Sequence, residues 1–404
     1  MSQQVAKKSA ELSHVKEKIW TKDFLLICLA NFFIFLGFQM TLPTIPLFVE
    51  ELGGNDQMIG FVVGVFTFSA LLLRPFAGHA LESKGRGLVY LTGLAIFVLS
   101  VGAYGFATGI MFLLVLRIIQ GVGWGFSTTA SGTIATDLIP PKRRGEGMGF
   151  YGLSGNVAMA FGPSLGLALA GTISFKMLFF ICAGLGLSAL LLAVNIKYKK
   201  VERPAAHSPA AAVSGKKLDL IEKSALSPSL LLFFNTVTFG GIATFLPLYT
   251  AQKDISGIQW YFLLYAIALM LTRTFSGQIY DRKGHKAVYI PGALLIIVAM
   301  LLLMWLPNSV TLYGAAICYG LGFGTIQPAL QAWSVDQAPP HRKGMANATF
   351  FSFFDLGIGI GAMLFGVIGQ RLGYESIYLT SAISVLISII LYLIMITKKR
   401  ESLT

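Results

Sequence analysis

The sequence predicts an all-α membrane protein, with twelve transmembrane helices in two pseudo-symmetric bundles of six. Three observations predict it. Hydrophobic residues make up 55% of the 404 positions and charged residues only 12%, where a soluble domain carries about one quarter charged residues. The apolar residues fall in twelve long blocks, most near the ~20 residues that cross a bilayer. The chain also repeats itself. Gly78 and Gly277 open the related stretches GHALESKGRG and GQIYDRKGHK, 199 positions apart. At that offset, with no gap, Arg74 meets Arg273, Gly85 meets Gly284, Gly121 meets Gly320, Asp137 meets Asp336, Pro140-Pro141 meets Pro339-Pro340 and Gly162 meets Gly361. Two apolar halves related in this way are the mark of a duplicated membrane transporter.

The polar N-terminal tail, 1–22, holds five lysines and no short apolar segment with a cleavage site. The first span is therefore expected to act as an uncleaved insertion signal. The N-terminal bundle, 23–196, contains spans at 24–49, 57–81, 87–107, 109–136, 146–170 and 174–196. The linker 197–225 is basic and rich in Pro, Ala and Ser, as suits a cytoplasmic tether between bundles. Its end, 218–226, is expected to form a short surface helix, and its His207 reads as a solvated loop residue. The C-terminal bundle, 226–397, has spans at 226–251, 258–280, 287–306, 309–335, 344–369 and 376–397, followed by a tail, 398–404. Cys28, Cys182 and Cys318 all fall inside spans with no paired spacing, which predicts packing residues rather than disulfides or metal ligands.

The formal charge of +13 is distributed in alternate loops: Lys84 and Arg86; Lys142, Arg143 and Arg144; Arg282, Lys283 and Lys286; Arg342 and Lys343. Both tails and the linker add more. The opposite loops carry only Lys176, Lys253 and Arg371 beside five acids. This positive-inside pattern places both termini in the cytoplasm and argues against nucleic acid as a partner. The five histidines lie in loops, a tail or span ends. No clustered nucleophile, base or metal-ligand set suggests an enzyme.

The repeated loop G-x-x-x-[DE]-x-x-G-[RKH] joins spans 2 and 3, through Gly78, Glu82, Gly85 and Arg86, and spans 8 and 9, through Gly277, Asp281, Arg282 and Gly284. Its glycines allow close helix approach and a tight turn. With twelve spans and a central loop it resembles the major facilitator superfamily over nearly the whole chain. Two further segments resemble motifs of the drug:proton antiporters of that superfamily. One is Leu113-x-x-x-Arg117-x-x-Gln120-Gly121-x-Gly123 in span 4. The other is Gly149 followed by Gly162-Pro163-x-x-Gly166 in span 5. The resemblance implies export, with a proton gradient as driving force, a monomeric functional unit, a plasma-membrane location and no bound cofactor. The chain also departs from the pattern: the first loop copy has Glu82, Ser83 and Gly87, span 5 has Ala158 where a glycine is expected, and span 1 holds no acid. These departures argue against broad export of cationic drugs.

Four ionisable residues sit well inside the spans: Arg74, Arg117, Arg273 and Asp355. Such residues are costly in a bilayer and mark function by default. The 199 offset pairs Asp355 with Asn156. In the fold that the resemblance implies, spans 2 and 11 face each other across the halves, as do spans 5 and 8. Arg74 is then expected opposite Asp355, with Arg273 as the rival partner, and Asp355, Arg117 and Arg74 are the expected proton-coupling residues. Asp137 and Asp336 close spans 4 and 10 and are expected to organise the basic loops. The same fold places spans 1, 4, 7 and 10 around the cavity. The polar and aromatic residues expected there are Asn31, Gln39, Arg117, Gln120, Trp124, Asn235, Phe239 and Gln327. An apolar cavity with few hydrogen-bonding groups suits an amphiphilic organic molecule. A fixed cation at Arg117 suits an anionic metabolite or metallophore instead. A lipid-linked flippase, an uptake symporter and a transporter-like sensor are the remaining readings; for the sensor, neither the central loop nor the tail carries a sizeable signalling segment.

Overall fold

A computed structural model describes residues 18–140, 143–198, 221–339 and 342–401. Most of the linker, both ends of the chain and the Pro-Pro loop tips lie outside the described residues. Twelve helices follow in order: α1 (Lys22–Glu51), α2 (Asp56–Ser83), α3 (Arg86–Tyr104), α4 (Ile110–Leu138), α5 (Arg144–Ala170) and α6 (Phe175–Val194). After a 3-10 turn, Lys223–Ala225, come α7 (Leu226–Gln252), then the element Ile258–Met304, α10 (Ser309–Asp336), α11 (Lys343–Leu372) and α12 (Tyr374–Glu401). The element Ile258–Met304 is interrupted at Gly284, with φ 73°, so it counts as α8 (258–283) and α9 (285–304). Among the described residues, eleven of the helices are long and apolar enough to cross a membrane.

Three boundaries differ from the sequence reading. The loop motif between spans 8 and 9 is helical on both sides, because one left-handed glycine suffices to turn the chain. Gly85, at the same place in the first copy, has φ 98°. α12 runs on to Glu401, through what the sequence marked as tail. Only the last part of the predicted 218–226 helix is described, and it is a single 3-10 turn leading into α7.

Side-chain caps fix several starts. Thr21, Asn55, Ser174 and Asn308 each accept the backbone N–H three residues on, at 2.9–3.4 Å, replacing one bond that a helix start lacks. The internal repeat is written into the packing. A Cβ added at Gly121 would lie 2.6 Å from the Phe66 carbonyl oxygen, and at Gly320 2.5 Å from that of Tyr265, its counterpart at the 199 offset. Gly123 meets the Phe97 nitrogen at 2.8 Å and Gly322 meets the Gly292 oxygen at 2.6 Å. In both halves α4-type and α3-type helices thus touch backbone to backbone, the small-residue contact that replaces hydrophobic drive inside a bilayer. Overpacking such a site costs about 1–3 kcal/mol or more. Gly123→Leu is therefore expected to lower the thermal midpoint of the purified protein in detergent by several degrees. Gly102→Ala, whose Cβ would stand 3.6 Å from Ala183, should leave it unchanged.

The halves meet through α2 with α11, α5 with α8, and α1 with α7. Among the described residues three side-chain bonds join them. Tyr374 donates to the Asp56 carboxylate at 2.7 Å, Ser164 donates to the Gln259 carbonyl at 2.8 Å, and Arg74 donates to Asp355 at 2.5 Å. The first two lie at the ends remote from the basic loops, and the third is the deepest. Among the described residues, the bonds between the halves lie on the side opposite the basic loops, down to the level of Arg74 and Asp355.

Candidate functional site

Arg74 stands in α2 one residue before Pro75, and Asp355 stands in the middle of α11. Their side chains are 24% and 26% exposed, so water reaches the pair only in part. The glycines Gly60, Gly64, Gly359 and Gly366 draw the two helices together. An added Cβ at Gly60 would lie 2.5 Å from the Ala362 oxygen, and at Gly366 2.5 Å from the Asp56 oxygen. Close backbones leave the long arginine and the short aspartate as the first groups able to bridge the helices where these begin to part. A charge-assisted bond of this kind is stronger than a neutral one. The rival, Arg273, bonds instead to Gln327 in its own half, at 2.5 Å.

Arg117 is only 1% exposed. Its Nε donates to the Val62 carbonyl at 3.0 Å, its Nη1 donates to Gln120 Oε1 at 2.7 Å, and its guanidinium lies 4.3 Å from the Phe66 ring centroid. Tyr104 donates to the same Gln120 oxygen, at 2.5 Å. Arg117 and Gln120, expected at the cavity, are both buried between α2, α3 and α4. The other cavity residues are also mostly committed within one half. Asn31 donates to Ser154 at 3.0 Å and accepts from Tyr151 at 3.0 Å, and Tyr151 also bonds Ser131 at 2.8 Å. Asn235 donates to Leu231 and Ser388. Gln39 packs against Gly162, and Gly166 against the Met40 backbone. Trp124 stacks on Phe38 with centroids 4.2 Å apart, and Phe239 on Phe323 at 6.2 Å. Buried polar groups take partners wherever they can, so polarity on an inward helix face marks network members as readily as substrate ligands. Half-buried phenylalanines occur on α1 and α7, Phe35, Phe38 and Phe234 among them, and on α11 at Phe351 and Phe354.

The loop motifs organise one end of each half. Arg86 bonds Asp137 at 2.9 Å, across a pocket of about 150 Å³ lined also by Lys197 and Tyr198. In the second half, the counterpart of Arg86 is His285. It stacks on Trp333 with centroids 4.3 Å apart and meets the Tyr392 hydroxyl at 2.8 Å, while the exposed Asp336 accepts from Tyr280 at 3.0 Å. Sequence reasoning did not pick out His285, although the 199 offset marks it. Arg282 is exposed, and Gly78 has open space around it. Gly277 lies in α8, and Pro163 is buried in α5 behind Gly162. The side chains of Glu82 and Asp281 lie outside the described residues. Among the described residues no His, Cys, Asp and Glu cluster could hold a metal ion.

Two related six-helix bundles that pack on each other and are bridged by an ion pair between α2 and α11 define a membrane transporter of the two-bundle class. The chain belongs to the Major Facilitator Superfamily, whose family model matches residues 27–257 and 228–404. It is a multi-pass integral membrane transporter and not an enzyme. It is 27% identical over 383 residues to an uncharacterized MFS-type transporter from Methanocaldococcus jannaschii, covering 92% of this chain and 98% of that one. It is 24% identical to the staphylopine export protein of Staphylococcus aureus, covering 86% and 89%. It is 25% identical to the multidrug resistance protein MdtG of Escherichia coli, covering 90% and 91%. Among solved structures, a bacterial homologue of the human lysosomal transporter Spinster superposes with a TM-score of 0.74 at 16% identity, covering 92% and 95%. The human organic anion transporter TETRAN superposes with 0.67 at 20% identity, covering 92% and 98%. These structural likenesses speak for the fold alone.

Proposed function

We propose that this protein is a proton-coupled exporter of small amphiphilic organic compounds, in which Asp355 carries the proton. The observation that carries this reading is the Arg74–Asp355 bond between the two halves. Ionised Asp355 holds Arg74 and with it the contact of α2 on α11. Once protonated, the carboxyl loses its charge, the charge-assisted bond weakens, and the halves are free to rock around the midplane. The positive-inside pattern puts the basic loops and both termini in the cytoplasm, so the conformation described above is the one that exchanges with the cytoplasm. Two relatives bear the names of an export protein and a multidrug resistance protein, which supports the outward direction. The half-buried phenylalanines supply an apolar wall for the carried molecule, and the protein acts as a monomer, driven by the proton gradient without a cofactor.

The test is pH-probe fluorescence in proteoliposomes under an imposed proton gradient, with wild type and Asp355→Asn compared over lipophilic cations and organic anions. Substrate-triggered proton movement in the wild type, abolished in Asp355→Asn, is the expected result. Coupling retained by the variant would move the proton site elsewhere.

A further inference from the structure

Three of the four ionisable residues deep in the spans are cations, and their surroundings differ. Arg117 spends its donors on the Val62 carbonyl and Gln120 and is walled by the Phe66 ring. Arg74 has Asp355. Arg273, the counterpart of Arg74 at the 199 offset, has no carboxylate within ion-pair distance among the described residues. Its Nη2 donates to the neutral Gln327 Oε1, and its Nε is buried with no partner, as that of Arg74 also is, so what sets Arg273 apart is an amide where Arg74 has a carboxylate. The hydroxyl of Tyr265, two turns back on the same helix and within electrostatic range of Arg273, is likewise buried without a partner. The repeat explains the missing acid. The position equivalent to Asp355 is Asn156, in α5, the helix that packs on α8 across the halves. One side of the pseudo-symmetric interface therefore has a complete ion pair, and the other has its cation and an amide.

An unpaired, desolvated cation is costly to keep. A guanidinium offers five donors in a planar fork that fits a carboxylate or phosphate. Here only the bond to Gln327 is made, and the nearby orphan hydroxyl can donate as well. We propose that the transported compound is an organic anion whose carboxylate or phosphate pairs with Arg273, supplying from the substrate the acid that the second half lacks. This deepens the export reading and rests on it for the direction of transport, but the anion site stands or falls separately. The apolar part of the ligand would lie against the half-buried rings of α7 and α11. Arg273 would then contribute at each loading step a second bridge that leaves with the substrate, whereas both members of the bridge at Arg74 belong to the chain.

The experiment is binding to the purified full chain in detergent, read as thermal shift without any proton gradient. The probes are salicylate, dihexanoylphosphatidate and tetraphenylphosphonium. One or both anions should raise the unfolding midpoint of the wild type. Arg273→Gln should weaken that binding about 10- to 100-fold, as loss of a charged hydrogen-bond partner implies, without affecting tetraphenylphosphonium. A shift with salicylate alone names a soluble anion as substrate; one with the phosphatidate names a lipid headgroup. Gln327→Glu gives Arg273 an internal carboxylate and should abolish the anion response while raising the basal midpoint, so the site is testable even if Arg273→Gln folds poorly. Equal anion shifts in wild type and both variants, or no shift with either anion, would overturn the proposal. Because no gradient is present, that failure leaves the role of Asp355 untouched; a lost pH response in Asp355→Asn with anion shifts intact would separate the two in the other direction.

Discussion

Splitting the Arg74–Asp355 bond is expected to open the face of the protein opposite the basic loops. Arg74→Leu strands the carboxylate, and Asp355→Leu strands the guanidinium, at a depth where each side chain is only about one quarter exposed. Removing one partner of a fully buried pair costs about 3–5 kcal/mol, and an exposed pair is worth about 1 kcal/mol or less. This pair lies between, at about 2–3 kcal/mol, and that energy is present only while the halves touch. A change of that size moves a two-state equilibrium by roughly 30- to 150-fold. Spin labels at the exposed Met58 of α2 and Leu372 of α11, in a background with the three cysteines replaced, read the separation directly. Either single variant should shift the distance distribution to longer values, and the exchange Arg74→Asp with Asp355→Arg should bring back much of the short population. If both singles kept the wild-type distribution, the pair would not be what holds the halves.

The second large effect is steric. At Gly366 an added Cβ would stand 2.5 Å from the Asp56 oxygen, and at Gly60 2.5 Å from the Ala362 oxygen. The atoms met are backbone, which no rotamer change can move aside. Gly366→Val or Gly60→Val must therefore push α2 and α11 apart, at a cost of about 1–3 kcal/mol or more. Each half folds around its own contacts, so the strain is expected to appear as a shift in conformation rather than as unfolding. The same spin-label pair should report the open face in most molecules, and transport in proteoliposomes should fall at least tenfold, an effect of about 1.4 kcal/mol or more. Gly78→Ala, with nothing within 4 Å of its Cβ, is the silent control. An unchanged distance distribution in Gly366→Val would show that the contact yields more readily than its backbone geometry implies.

Much of this molecule is legible in its residues. Long apolar blocks gave the helices, because a backbone in hydrocarbon must satisfy its own hydrogen bonds. The single offset of 199 anticipated even the glycines that touch backbone in each half, such as Gly121 on Phe66 and Gly320 on Tyr265. Other features were not legible. A polar side chain within a span reads as functional, and Arg117 and Gln120 stand only three residues apart in α4; the Val62 carbonyl that holds the guanidinium comes from α2, 55 positions away, and no local pattern announces it. The network of Asn31 with Tyr151, Ser131 and Ser154 draws on three helices, and no local pattern links them.

By itself the sequence determined the class of the protein, the number and order of its helices, its internal symmetry and the short list of charges inside the membrane. These follow from composition, segment length and repetition, which are properties of the chain taken one segment at a time. Only the tertiary structure decided which charges meet. It joined Arg74 to Asp355, left Arg273 with Gln327 and buried Arg117 out of reach of the interface. The reason is physical: ion pairs and small-residue contacts act over a few ångströms, and the rotation of each helix about its own axis, set by packing against its neighbours, decides which side chains come that close.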